Sequence, residues 1–126
     1  MARTIKVKLG GKERTLKASF AAAEAICENV ADLMLMNRES MAYAMFIAKG
    51  LPYTPKWAFS VKSIVSVIAI GSEHSGHDID SDVIEADVIG MGVDKAQDVA
   101  TSYLQLFFAQ PDTEPETGAD TSAEGK

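Results

Sequence analysis

The chain has 126 residues, 47% of them apolar and 24% charged, with a net charge of −6. That is chain enough for one domain with its own core, without metals or disulfides. The single cysteine, Cys27, excludes an internal disulfide, and the most apolar run, Ile64 to Ile70, is far shorter than the ~20 residues of a membrane-spanning helix.

Residues 1–20 carry six Lys or Arg side chains against one acid, Glu13. The opening MARTIKVKLGGKER lacks the apolar run of a secretory signal, so the protein is read as cytosolic. Thr4 to Leu9 alternates with period two, as a half-buried strand does. Gly10-Gly11 tolerates the positive φ of a tight hairpin turn, and Lys12 to Ala18 returns as a second strand. A two-residue loop sets Leu9 against Lys12, Lys8 against Glu13 as an ion pair, and Ile5 against Leu16. An isolated hairpin is marginal in water, so it must lie on helices or pair with a partner's strand.

Ser19 is the expected N-cap of a first helix, Phe20 to Asn29, with Phe20, Ala23, Ile26 and Cys27 on its apolar face. Cys27 reads there as a small buried hydrophobe. Residues 31–36, ADLMLM, are apolar without a clear period. Asn37 is the expected cap of a second helix, Arg38 to Lys49, with Met41, Ala44, Met45 and Ala48 as its stripe and Gly50 at C′. Four of the six methionines fall between 34 and 45, which reads first as core filling and second as an adaptable binding surface. After a loop from Leu51, Thr54 and Pro55 open a third helix. Trp57, Val61, Ile64, Val65 and Ile68 mark one face of it, and Phe59 and Ile70 the other. Such a helix is central, buried between neighbours. Gly71 to His77 reads as a loop. Asp82 and Glu85 form a capping-box pattern for a fourth helix, Val83 to Ile89, ended by Gly90 and Gly92. Asp94 caps a last helix, Lys95 to Ala109, with Ala96, Val99, Ala100, Tyr103 and Phe107 on its main face and Phe108 off it.

The expected fold is therefore α+β: a two-stranded hairpin followed by about five helices in one domain, residues 1–110. Residues 111–126 hold five acids and Lys126 with no large apolar side chain, the composition of a disordered acidic tail.

Three chemistries can be weighed. His74 and His77 sit among carboxylates, but the set lacks a cysteine ligand, and Asp78, Asp80 and Asp82 fail as a calcium loop. Its sixth position would be Val83 and its twelfth Ile89, where glycine and glutamate are needed. No metal or other cofactor is expected. Nucleophilic catalysis has neither a Gly-x-Ser-x-Gly elbow nor a Cys-His pair in context, and no glycine-rich loop precedes a helix to hold phosphate. Lys6, Lys8, Lys12, Arg14 and Lys17 could touch nucleic acid as an adaptor would. Residues 21–110, with five basic and twelve acidic side chains, oppose that with a repulsive field.

The apolar residues least explained by one core stripe are Phe59, Phe108, Met34 and Met36. With Met41, Met45 and the hairpin residues Ile5, Val7 and Leu9, they are the candidate partner-binding residues of a non-enzymatic protein. The same surplus suits contact between copies of the chain.

The order of elements carries a resemblance over residues 4–109. The hairpin IKVKLGGKERTLKASF runs into a helix with Glu24 and Glu28. SIVSVIAIGSEHSG, DSDVIEADVIGMG and the closing KAQDVATSYLQLFFA follow. This order resembles the small tail assembly chaperones of long-tailed phages, prophages and gene transfer agents. The resemblance implies binding of the tape measure protein, recruitment of tail tube protein around it in the host cytoplasm, and absence from the finished particle. It also implies a longer product made by programmed frameshifting, with the acidic tail near the junction.

Overall fold

The computed structural model describes residues 3–77 and 80–109. The expected disordered tail lies outside them. Strands β1 (Arg3–Leu9) and β2 (Lys12–Ala18) form an antiparallel hairpin, followed by helices α1 (Phe20–Asn29), α2 (Leu33–Ala48), α3 (Val61–His74), α4 (Ser81–Met91) and α5 (Val93–Gln105). The architecture is the expected hairpin and five helices.

Gly10 and Gly11 have φ of 59° and 80°, the positive pair that a two-residue hairpin turn requires. The register follows from it: Leu9 faces Lys12, Lys8 faces Glu13, and Ile5 faces Leu16. Lys8 and Glu13 are both exposed and form no ion pair. Among the described residues the ion pair is instead Arg14 with Asp87 of α4, at 3.3 Å.

α3 is the centre of the molecule, lying against β2, α1, α4 and α5. Ile64, Val67 and Ile68 are fully buried, each contributing roughly 1.5–3 kcal/mol by leaving water. Leu9 and Leu16 of the hairpin, Ile26 of α1, Ile84 and Val88 of α4, and Tyr103 of α5 complete the core. The Tyr103 hydroxyl donates to the Lys17 carbonyl at 2.6 Å, tying α5 to β2. Burial pushes the Tyr103 phenol well above its ordinary pKa. Arg3 donates to the carbonyls of Leu106 (2.8 Å) and Ala109, closing the end of α5 onto β1.

Several sequence expectations are corrected. α1 keeps its Ser19 cap, with the Ala22 N–H donating to the Ser19 hydroxyl. Its core face, however, is Ala22 and Ile26. Phe20 is 79% exposed and Cys27 is exposed rather than buried, because the helix turns its i, i+4 pair toward α3. α2 begins at Leu33, not Arg38. The Asp32 carboxylate accepts from the Met34 N–H and takes the capping role expected of Asn37, which lies inside the helix.

Thr54 and Pro55 open no helix. The third helix starts after Ser60, whose reciprocal hydrogen bonds with Ser63 make a complete capping box. Trp57 and Phe59 are therefore outside it. At its other end α3 runs on through Gly71 to His74, where a loop was expected. α4 starts at Ser81 with no side-chain cap, and Asp82 sits in its first turn rather than in a capping box. Gly90 lies within α4, and Gly92 both ends α4 and precedes α5, with Asp94 in the first turn of α5. α5 stops at Gln105. Phe107 still packs edge-on against Tyr103, with ring centroids 5.5 Å apart.

The glycine at position 71 has a steric reason. A Cβ there would stand 2.9 Å from Tyr103 Cζ and 3.0 Å from Leu16 Cβ, both in the buried core. Gly71→Ala is therefore expected to destabilise the protein. Overpacking costs about 1–3 kcal/mol, which outweighs a gain of up to about 1 kcal/mol in helix propensity. Thermal unfolding followed by circular dichroism checks this; an unchanged or raised Tm would contradict it.

Candidate protein-docking site

α2 is the least integrated helix. Among the regular elements only α1 brings its backbone close to that of α2. Leu33 and Met36 in its first turns reach the core, with Met36 only 3% exposed, whereas its second half stands clear. Between α2 and α5 lies a gap of about 240 Å³. Met36 and Met41 line it from α2, Leu104 from α5, Phe108 from the turn after α5, and Trp57 and Phe59 from the connecting segment. Its polar lining residues are Asn37, Ser40, Thr101 and Gln105, none of them charged.

Residues 51–60 form the strap that closes one side of this gap. Tyr53, Pro55, Trp57 and Phe59 are half-buried, and the residues between them are exposed. That period of two belongs to extended chain. The strap is fastened at Glu39, which is 6% exposed on the inner side of α2. The Tyr53 hydroxyl donates to Glu39 Oε1 at 2.9 Å and the Lys56 N–H donates to the same oxygen at 2.7 Å. Phe46 stacks on Tyr53 with centroids 4.8 Å apart, and Trp57 meets Phe59 edge-on at 4.9 Å. The Lys56 N–H, then the Tyr53 hydroxyl, hold the Glu39 carboxyl below its ordinary pKa. The bond from Glu39, with burial next, pushes the Tyr53 phenol above its own.

The candidate binding residues fall into four groups. Met36, Met41, Phe59 and Phe108 meet in the α2–α5 gap. Met34 borders a neighbouring depression shared with Phe20, Cys27 and Phe108. Met45 is exposed on α2, outside both. Ile5 and Val7 are half-buried against the core, and Leu9 is 1% exposed, a core residue with no surface to offer. The supposed core stripe Met41, Ala44, Met45 and Ala48 is exposed throughout. Of the four methionines between 34 and 45, Met36 alone fills the core. Sequence reasoning missed Leu104 and Trp57 as lining residues and Glu39 as a fastener. The period-two pattern from Tyr53 to Phe59 was the available signal for the strap.

The other candidate chemistries are dispersed. His74 ends α3, and the Ser72 hydroxyl donates to the His77 carbonyl at 2.9 Å. Asp78 lies outside the described residues. No group of three or more His, Cys, Asp or Glu among the described residues is placed to share a metal. Of the basic residues in the hairpin, Arg3 and Arg14 are engaged internally, while Lys6, Lys8 and Lys12 are exposed. No described helix is long and apolar enough to cross a membrane. Comparison with family models, curated proteins and solved structures finds no match to this chain.

The Glu39 fastening predicts a pH response. Its folded pKa is depressed, so its stabilisation is fully present above the unfolded value of about 4.3 and is lost as pH falls through the lower, folded value. Trp57, the one tryptophan, sits in the strap and reports on it. Its emission is expected to shift to the red as wild type is acidified below about pH 4. In Glu39→Ala the shift is expected at neutral pH already. Identical spectra of wild type and Glu39→Ala at pH 7 would count against the fastening.

Proposed function

We propose that this chain is a tail assembly chaperone of a phage, prophage or gene transfer agent. In this reading it binds the tape measure protein, assists tail tube assembly in the host cytoplasm, and performs no catalysis. The observation that supports it is the uncharged, methionine-bordered gap between α2 and α5. A groove of this kind accepts the apolar face of a helix through i, i+3 and i+4 contacts, and thioether side chains adapt to varied apolar partners. Transient binding of a long helical protein needs both properties. The element order from the hairpin to α5 adds the family resemblance.

A nucleic-acid adaptor is less well supported. Arg3 and Arg14 point their guanidinium groups at carbonyls and at Asp87, which leaves a short lysine row on an otherwise acidic chain.

Co-expression with the tape measure protein of the same genome tests the reading. The soluble fraction of the tape measure protein is expected to rise severalfold, and Met41→Glu, at a 62% exposed position, to remove most of that gain while remaining folded itself. A tape measure protein as insoluble with this chain as without it would sink the proposal.

A further inference from the structure

The second half of α2 has a surface that one bound helix does not cover. From Ser40 to Ala48 the sequence SMAYAMFIA contains no charged residue. Met41, Tyr43, Met45, Ile47 and, just beyond, Leu51 are each 48–62% exposed. At 3.6 residues per turn, the exposed side chains run around the helix from Tyr43 through Ile47, Ala44, Ala48 and Met41 to Met45. This is an uncharged arc on the order of 200° wide. Only the narrow side at Glu39 and Phe46 is taken, by the strap. A helix apolar on most of its circumference is one that is buried in its working state.

We infer that α2 pairs with α2 of a second copy, the two helices lying antiparallel across a two-fold axis, each seated in the gap between α2 and α5 of the other. Three observations select a second copy as the occupant. First, the middle of the arc, Ser40, Met41 and Ala44, is itself the α2 wall of the gap, so a two-fold axis sets one and the same face against itself, as a self-complementary interface requires. Second, an ordinary amphipathic helix offers an apolar stripe of about 100°. It would fill the gap and leave the rest of the arc in water, whereas α2 seated in the gap of a second copy is covered by α2 and α5 of that copy together. Third, a stable homodimer covers about 800 Å² on each partner. Five large half-exposed apolar side chains, with Ala44, Ala48 and the walls of the gap, supply an area of that order. The chain carries −6 overall, so two copies repel except where their contact is uncharged, and this face is uncharged.

The inference goes beyond the chaperone reading and does not rest on it. A partner helix in the same gap would compete with the second copy. The test therefore contains no tape measure protein.

Sedimentation equilibrium of the purified full-length chain, from low micromolar to millimolar concentration, reads the result. The expected species is twice the 13.5 kDa of one chain. Met45→Glu and Ala48→Glu, both exposed and both outside the lining of the gap, are each expected to raise the dimer dissociation constant about a hundredfold or more. Circular dichroism confirms that each variant folds, and the two serve as independent checks. Ile89→Glu, at a 65% exposed position on α4, is expected to leave the constant unchanged. A 13.5 kDa species at every concentration overturns the inference. So does a dimer that ignores both α2 substitutions, one that Ile89→Glu disrupts equally, or growth past the dimer into larger species.

Discussion

The crossing of α3 with β2 and α5 at Gly71 is the constraint from which the other placements follow. The helix, the strand and the Tyr103 ring approach so closely that the space of one methyl group is absent. A two-stranded hairpin has little stability of its own. Here it is fixed because Leu9 and Leu16 enter the same core as α3, and because the Tyr103 hydroxyl is bonded to its backbone. With the hairpin on one side and α1, α4 and α5 around the others, α3 keeps only a narrow stripe, Lys62, Ser66, Ala69 and Glu73, toward solvent.

That crowding explains α2. It arrives in the sequence before α3 but finds its place on the central helix already taken. It is held by α1 at one end and by the strap along one side. A carboxylate 6% exposed is an expensive group to place unless its oxygens are well occupied. Glu39 is tolerated because one oxygen takes both a backbone N–H and a phenol. The strap then turns Trp57 and Phe59 toward α5 while the α2 and α5 backbones stay apart. The gap is thus a product of the fold's arithmetic: five helices around a core that has room for four.

The parts of this arrangement that were legible in the sequence were those set by short-range chemistry. A two-residue Gly-Gly turn leaves one register, and the hairpin has it. Ser19 ahead of an apolar helical run has one role, and it plays it. The α5 stripe and the Ile64, Val65 and Ile68 part of the α3 stripe were readable because both helices are buried over broad faces, whereas Trp57 lies before α3 and Val61, at its first turn, is 45% exposed. Elsewhere, two plausible local signals competed. Asp32 and Asn37 are both good caps, and the run between them has no period to decide the matter. Thr54-Pro55 resembles a helix start as much as Ser60 does, but only Ser60 has a serine three residues on to complete the box.

Two further features were beyond local reasoning. The acceptor role of Glu39 depends on donors 14 and 17 residues away, in a segment with no regular structure. The stripe from Met41 to Ala48 was visible as a stripe, but a period shows only that a helix has an apolar face, not that the same chain covers it. Cys27 was misjudged in the same way. Its neighbours in sequence are apolar, yet its own side chain is exposed.

The bond from Arg3 to the Leu106 carbonyl gathers the first and last described elements at one corner. The backbone is therefore nearly a closed loop, and whatever is spliced ahead of Arg3 or behind Ala109 starts from the same point. Neighbouring ends of this kind are the arrangement in which insertion into a longer polypeptide, or joining of the ends and reopening elsewhere, asks least of a core. The corner also adjoins the depression that Arg3 shares with Leu33 and Phe108, so any such graft would arrive at the mouth of the gap beside α2.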